Sequence, residues 1–245
     1  MRRFYHSKRL TLNEIFNLED FVVHHLIQVL RAKEGDKLIL FNGDGNDYEA
    51  EIKVIKKRSA QVLIISKNKN FNESHINIHL YQALTSNEKM DWIIQKATEL
   101  GVQNITPIST KRNQNKIKED KKHKKNKHWQ QIIISACEQS RRAFIPKIHP
   151  IISLDNLIRD FNQNQINELR LVLSPNSQNK LKNNKKKLSN LSIMIGPEGG
   201  FTDNELEIAN SMGFQSISIG PRILRTETAS IASIAILQQI YGDFV

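Results

Sequence analysis

Between Ile193 and Ser230 the chain repeats one local pattern: a short apolar run, a loop bearing Gly-Pro, then a helix-forming stretch. The first copy reads IMIGPEGG followed by FTDNELEIANSMG, and the second reads FQSISIG followed by PRILRTETAS. An apolar run that stops at a glycine turn before a helix is the pattern of a buried strand feeding a helix N-terminus. Backbone N–H groups are open to a ligand there. Two such turns in close succession demand an α/β fold and make this stretch the candidate site.

The remaining sequence supplies the rest of such a fold. Ile76–Leu84 reads as a strand, and Thr85-x-x-Glu88 as a capping box. Met90, Ile93, Ile94, Ala97 and Leu100 then fall on one face of a helix that stops at Gly101. Val102–Pro107 is a further strand, Trp129–Gln139 a helix, Ser153 the cap of a helix through Phe161, and Leu169–Leu173 a strand. In the last third Thr202 and Glu205 form a second capping box, Ser216–Ile219 is the last strand, and Thr226 or Thr228 starts the final helix. Alternation of strand and helix predicts a parallel sheet. The first residues differ. Leu18–Leu30 has helical spacing with Asn17 as N-cap, and then Lys37–Phe41, Tyr48–Ile55 and Ala60–Ile65 are rich in β-branched residues. Asn42-Gly43-Asp44-Gly45 joins the first two of these as a hairpin. Residues 1–70 are therefore expected to form a small β-rich module, with Lys67–Ser74 as a linker to an α/β domain over 75–245.

The two loops are poor phosphate cradles. Gly196-Pro197-Glu198-Gly199-Gly200 is neither a P-loop nor a dinucleotide fingerprint, no lysine follows the glycines, and Glu198 repels phosphate. Glu227 gives the second loop a carboxylate as well, so a ligand uncharged or cationic at its centre suits the pair better. Pro197 and Pro221 stiffen the loops. No His/Cys or His/Glu cluster has metal-ligand spacing, and no metal is expected.

The formal net charge of +11 points to a polyanionic partner. Much of it sits in Lys111–Lys127, where most of the lysines read as a solvated face. Arg112, directly after a strand end, is singled out. The single cysteine, Cys137, reads as a core residue and fits a reducing compartment. With no secretion signal and no bilayer-length apolar run, a soluble cytoplasmic protein without a membrane partner is expected.

The long motifs IGPEGGF (Ile195–Phe201) and IGPRILRTETA (Ile219–Ala229) resemble those of the RsmE family, SPOUT-class methyltransferases of small-subunit ribosomal RNA. MRRFY at the start, HHLIQVLRAKEGDKLILFNGDG, KMDWIIQKATELGV and ACEQSRR resemble further family blocks, although Arg141 stands where the family usually has glycine. The resemblance implies an N-terminal PUA-like small β-barrel that binds RNA, and a C-terminal SPOUT domain with a parallel sheet and a trefoil knot. It implies a homodimer acting on 16S rRNA or the small ribosomal subunit, transferring methyl from S-adenosylmethionine to N3 of a uridine. Leu173, Ile195, Gly196, Pro197, Glu198, Gly199, Gly200, Ile219, Gly220, Leu224, Thr228 and Ala229 would hold that cofactor. Arg225 would stabilise the anion that develops on the base, and Glu227 would orient Arg225 or accept hydrogen bonds from substrate. Arg2, Arg3, Arg31, Arg112 and Arg142 would contact RNA. A non-enzymatic RNA-binding protein keeping the same fold is the alternative, and a nucleotide-dependent enzyme rests on the glycine loops alone.

Overall fold

The computed structural model describes residues 2–112, 119–160, 168–181 and 188–244. They divide into two units, each with its own sheet. One takes Met1–Glu73 with Cys137–Ile145, and the other takes Ser74–Ala136 with Pro146–Val245.

The first unit is built on strands β1 (Arg3–Tyr5), β2 (Ile15–Asn17), β3 (Lys37–Phe41), β4 (Asn46–Lys56) and β5 (Ser59–Lys69). Their order in the sheet is β1-β3-β4-β5-β2. The 42–45 turn closes the β3–β4 hairpin, with Gly43 and Gly45 at φ of 92° and 84°. Alternation along β4 buries Tyr48, Ala50 and Ile52 in a core with Leu38, Leu40, Val62 and Ile64. The expected helix over 18–30 is shorter. It is α1 (Asp20–His24), entered from Glu19 rather than Asn17 and continued by one π-helical turn, His25–Val29. The expected linker at 67–74 is also displaced, because β5 runs on to Lys69 and pairs with Asn46.

Two arginines of this unit are spent on its own architecture. Arg3 lies 3.6 Å over the Phe41 ring, donates to Asp47 Oδ1 at 2.8 and 3.0 Å, and donates to the Cys137 carbonyl at 2.9 Å. Arg142 is 2% exposed and pairs with Glu73 at 2.7 Å. Buried guanidinium groups need such partners. Arg141, in the position where the family usually has glycine, adopts φ 62°. Its carbonyl accepts from the side chains of Asn70 and Asn72, so a left-handed turn is kept with a side chain that disfavours it. Cys137 is fully buried, and burial pushes its thiol up to about 12, as for a core residue.

The second unit is a parallel sheet of β6 (Asn77–Ala83), β7 (Asn104–Ser109), β8 (Lys147–Ile148), β9 (Ile152–Ser153), β10 (Glu168–Leu173), β11 (Asn190–Ile195) and β12 (Gln215–Ile217). The order is β12-β10-β11-β6-β7-β8, with β9 also on β7. Strands β11 and β6 sit at its centre, and β11 is buried from Leu191 to Ile195, as a strand covered on both faces must be. The helices of this unit are α2 (Asn87–Glu99), α4 (Leu154–Asp160), α5 (Asp203–Ser211) and α6 (Thr226–Tyr241), with α3 (Glu119–Ser140) contributing as far as Ala136. Helix α2 buries Met90, Ile93, Ile94 and Ala97, the predicted face. Its predicted cap is not formed: Ser86 is the N-cap, and Thr85 is engaged elsewhere. The Thr202/Glu205 capping box is present in full. Glu205 is also a bridge, since its other oxygen accepts from the Lys111 N–H at 2.7 Å.

The lysine block falls mostly on α3, although Lys116 and Lys118 lie outside the described residues. Lys121, Lys124 and Lys127 are exposed, whereas Lys125 lies over the Trp129 ring. Trp129 and His128 both bond to Asp91 of α2, so this part of α3 is partly a packing face.

Candidate active site

The C-terminal ends of β7, β10, β11 and β12 converge on one cavity of about 550 Å³. This is the end of a parallel sheet where loops present their backbone groups outward. Its wall combines Leu173 after β10, the 195–200 loop after β11, the 218–225 loop after β12, and Arg112 after β7. Of the residues expected to hold a cofactor, Leu173, Ile195, Gly196, Pro197, Glu198, Gly199, Gly200, Ile219, Gly220, Leu224 and Ala229 line this cavity, as does Arg225. Thr228 does not, and neither does Glu227.

The glycines have separate reasons. Gly200 has φ 69° and Gly220 φ 155°, both outside what other residues adopt freely. Gly196 has no such φ, but a Cβ there would stand 3.2 Å from the Phe201 ring. The loop therefore folds tightly onto Phe201 and leaves its backbone facing the cavity. Arg112 caps the same loop by donating to the Gly199 carbonyl.

A buried polar network sets the spacing between the two loops. Gln82, at the end of β6 and fully buried, donates to Thr226 Oγ1 at 3.3 Å and to the Ala83 carbonyl at 3.0 Å. Thr226 in turn donates to the Gly196 carbonyl at 2.7 Å, and Ser230 lies 2.6 Å from Gln82 Oε1. The first loop is thus tied to the first turn of α6 directly by Thr226, which Gln82 braces from below. Sequence reasoning missed Gln82. An amide side chain at the end of the strand IHLYQA, just before the helix, was its only signal.

Outside this network Glu198 accepts from Lys89 Nζ at 2.8 Å and from Thr85 Oγ1. Burial alone raises the Glu198 carboxyl, but these bonds outweigh it and hold the group below its ordinary value. The Glu198 carboxylate thus stays ionised with its charge compensated by Lys89, rather than facing a ligand bare. Glu227 points the same way, with Oε2 at 3.5 Å from Lys89 Nζ. Arg225 is the N-cap of α6, exposed, and among the described residues nothing holds its guanidinium. Arg2 and Arg31 are exposed in the first unit, and Arg31 takes φ 51°. Among the described residues no group of three potential metal ligands occurs, and no helix is long and apolar enough to cross a membrane.

Residues 72–238 match the RNA methyltransferase domain family, and 18–65 match the RNA methyltransferase PUA domain family. Over 242 residues the chain is 38% identical to ribosomal RNA small subunit methyltransferase E of Buchnera aphidicola from Schizaphis graminum, covering 98% of this chain and 97% of that one. The chain belongs to the ribosomal RNA small subunit methyltransferase E family. The Bacillus subtilis member is 31% identical over 90% of this chain and 88% of its own. The crystal structure of the Neisseria gonorrhoeae member bound to S-adenosylmethionine superposes with a TM-score of 0.91, at 37% identity and full coverage of both chains. The predicted architecture, a parallel-sheet α/β domain with an N-terminal PUA-like module, is the one observed.

Proposed function

We propose that this chain methylates N3 of a uridine in small-subunit ribosomal RNA, with S-adenosylmethionine bound between the two glycine loops. The observation that carries the reading is the single cavity into which both loops open, within a chain alike end to end to a family member solved with that cofactor. The cavity suits such a ligand. Its volume falls in the range of roughly 300–1,000 Å³ usual for small-molecule sites. Leu173, Ile195, Ile219 and Leu224 offer apolar walls for a planar base, and the glycines offer backbone groups to read its edge. S-adenosylmethionine, when bound, supplies an electrophilic methyl group on a sulfonium.

The protein's part is positioning and electrostatics. Uridine N3 carries a proton at neutral pH and becomes nucleophilic as it loses it. Arg225 projects from the pocket wall with its guanidinium unpaired among the described residues, and it stabilises the negative charge that spreads over the base. Water takes the proton. Glu227 faces Lys89 and lies outside the cavity wall, so we assign it to fixing the first turn of α6, from which Arg225 extends. Arg112 holds the Gly199 loop, while the exposed Arg2 and Arg31 of the N-terminal module meet RNA phosphate. Arg3 and Arg142 act structurally within that module. We extend the reading to a homodimer in the cytoplasm, where ribosomal RNA of this kind is made, on the strength of the family resemblance.

Arg225→Ala tests it. Methyl transfer to unmodified small subunits is expected to fall at least about 100-fold, the scale for losing one transition-state donor. The thermal midpoint is expected to change little, because the side chain is exposed. Wild-type protein that transfers no methyl group to such particles would overturn the assignment.

A further inference from the structure

We infer that Lys89 is a positioning residue that fixes the two glycine loops relative to each other by sharing its ammonium group between Glu198 and Glu227. The inference rests on the methyltransferase reading and adds to it a residue outside the cavity wall.

Lys89 lies in the first turns of α2, just after β6 ends. Its Nζ is 2.8 Å from Glu198 Oε1, in the loop that follows β11, and 3.5 Å from Glu227 Oε2, in the first turn of α6. One cation therefore joins three elements that are far apart in sequence. Thr85, which sequence pattern assigned to a helix cap, donates to the same Glu198 oxygen. The residue just before the N-cap of α2 thus holds the loop.

The arrangement matters because both loops bring carboxylates to one place. Glu227 Oε2 is buried and has no hydrogen bond, and its nearest countercharge is Lys89 at a distance too long for a good one. Without Lys89, two like charges from two loops would share a partly desolvated space. They would push apart the loop after β11 and the turn that carries Arg225. The hydrogen bond to Glu198 raises the Lys89 ammonium above its ordinary value, and the pair stays ionised through the neutral range. The side chains of Lys89 and Glu198 are 31% and 49% exposed, so water screens the pair and its share of global stability is small. Its effect belongs in local geometry. Inside, the Gln82–Thr226–Gly196 network fixes the backbones. Outside, Lys89 fixes the charges.

The test uses the full-length chain with Lys89→Met. In the ligand-free protein, amide hydrogen exchange is expected to speed up about tenfold in 198–200 and 226–229, with the sheet unchanged and the thermal midpoint barely moved. S-adenosylmethionine is expected to bind about tenfold more weakly, and Lys89→Arg to recover most of that loss. In a Glu198→Gln, Glu227→Gln background, Lys89→Met should have little further effect, because no like charges remain to be separated. Unchanged exchange in both loops overturns the inference. So does a full Lys89→Met effect in the doubly neutralised background, which would make Lys89 a direct ligand contact. A wild-type protein that fails to bind S-adenosylmethionine would instead overturn the methyltransferase reading, and the exchange comparison would still decide the role of Lys89.

Discussion

The clearest quantitative consequence of the second unit concerns acid stability, and it centres on His79. This side chain stands in a row at the N-terminal end of the sheet, stacked 4.0 Å from Tyr81 and 5.3 Å from His149. Its Nε2 is 2.8 Å from Thr106 Oγ1. Burial, with a smaller contribution from His149, pushes its pKa down from 6.5 to about 3. A base with a depressed folded-state value is neutral in the fold and protonated more readily when unfolded. Stability is therefore full above about 6.5 and is lost as pH falls from there towards 3. At pH 5 the unfolded chain is about 1.5 units below its titration point. At about 1.4 kcal/mol per unit, the upper limit on the loss relative to neutral pH is about 2 kcal/mol. Because one edge of the ring faces an open groove, ~1–2 kcal/mol is the expected range. His79→Gln removes the titration and keeps a polar group for Thr106. Urea unfolding at pH 7 and pH 5, followed by circular dichroism, gives the four stabilities needed. Titrating groups remote from His79 cancel in the comparison, and wild type should lose ~1–2 kcal/mol more than the variant. Equal losses in the two proteins would refute the claim that His79 is held neutral by its surroundings.

Two further outcomes follow from single buried contacts. Gln82→Ala takes one of two hydrogen bonds from each of Thr226 and Ser230 and opens a cavity in a dry interior, and should cost about 2–3 kcal/mol. At about 2–4 °C per kcal/mol, a differential scan should show a drop of roughly 5–10 °C, accompanied by weaker S-adenosylmethionine binding. Arg141→Gly should raise stability by roughly 0.5–1 kcal/mol in chemical denaturation, since glycine takes φ 62° without the steric cost that arginine bears there.

The parallel sheet and the helix faces were legible because burial writes a period into the sequence. Met90, Ile93, Ile94 and Ala97 could belong to nothing but one helix face, and IMIG could belong to little but a central strand. Elements whose form is decided by neighbours were less legible. Leu18–Leu30 carries an unbroken helical spacing, yet the helix switches to a π turn at His25, which the spacing gives no reason to expect. Thr85-x-x-Glu88 satisfies the capping-box pattern, but Glu198 accepts from Thr85 across 113 positions, and no local rule can see that competitor. The arginines divide for the same reason. Arg3 and Arg142 lie in motifs that resemble family blocks and look like RNA contacts, whereas Asp47 and Glu73 take them up within the fold. A motif marks a residue that the fold or the function needs, without saying which.

The two ends of the parallel sheet show why the site is where it is. At the N-terminal end, Asn77, Asn104 and Asn190 from three neighbouring strands hydrogen-bond in a chain. Asn104 donates to Asn77, Asn77 donates to Asn190, and His149 Nε2 meets Asn104 Oδ1 at 3.1 Å. Because Asn104 turns its amide nitrogen to Asn77, its oxygen is left to accept, and His149 must be the donor. At that end side chains answer side chains along the wall of an open groove. At the C-terminal end the strands run out into glycine, at Gly196 and Gly220, where no side chain is available to answer the backbone. What bonding there is comes from below, through Gln82 and Thr226, and is aimed at holding the loops apart rather than filling the space between them. At one end polar side chains pair with one another, and at the other the loops keep backbone groups in fixed positions around the cavity. A ligand that reads backbone edges is what such an end selects, and the charge network at Lys89 keeps the carboxylates of both loops from answering first.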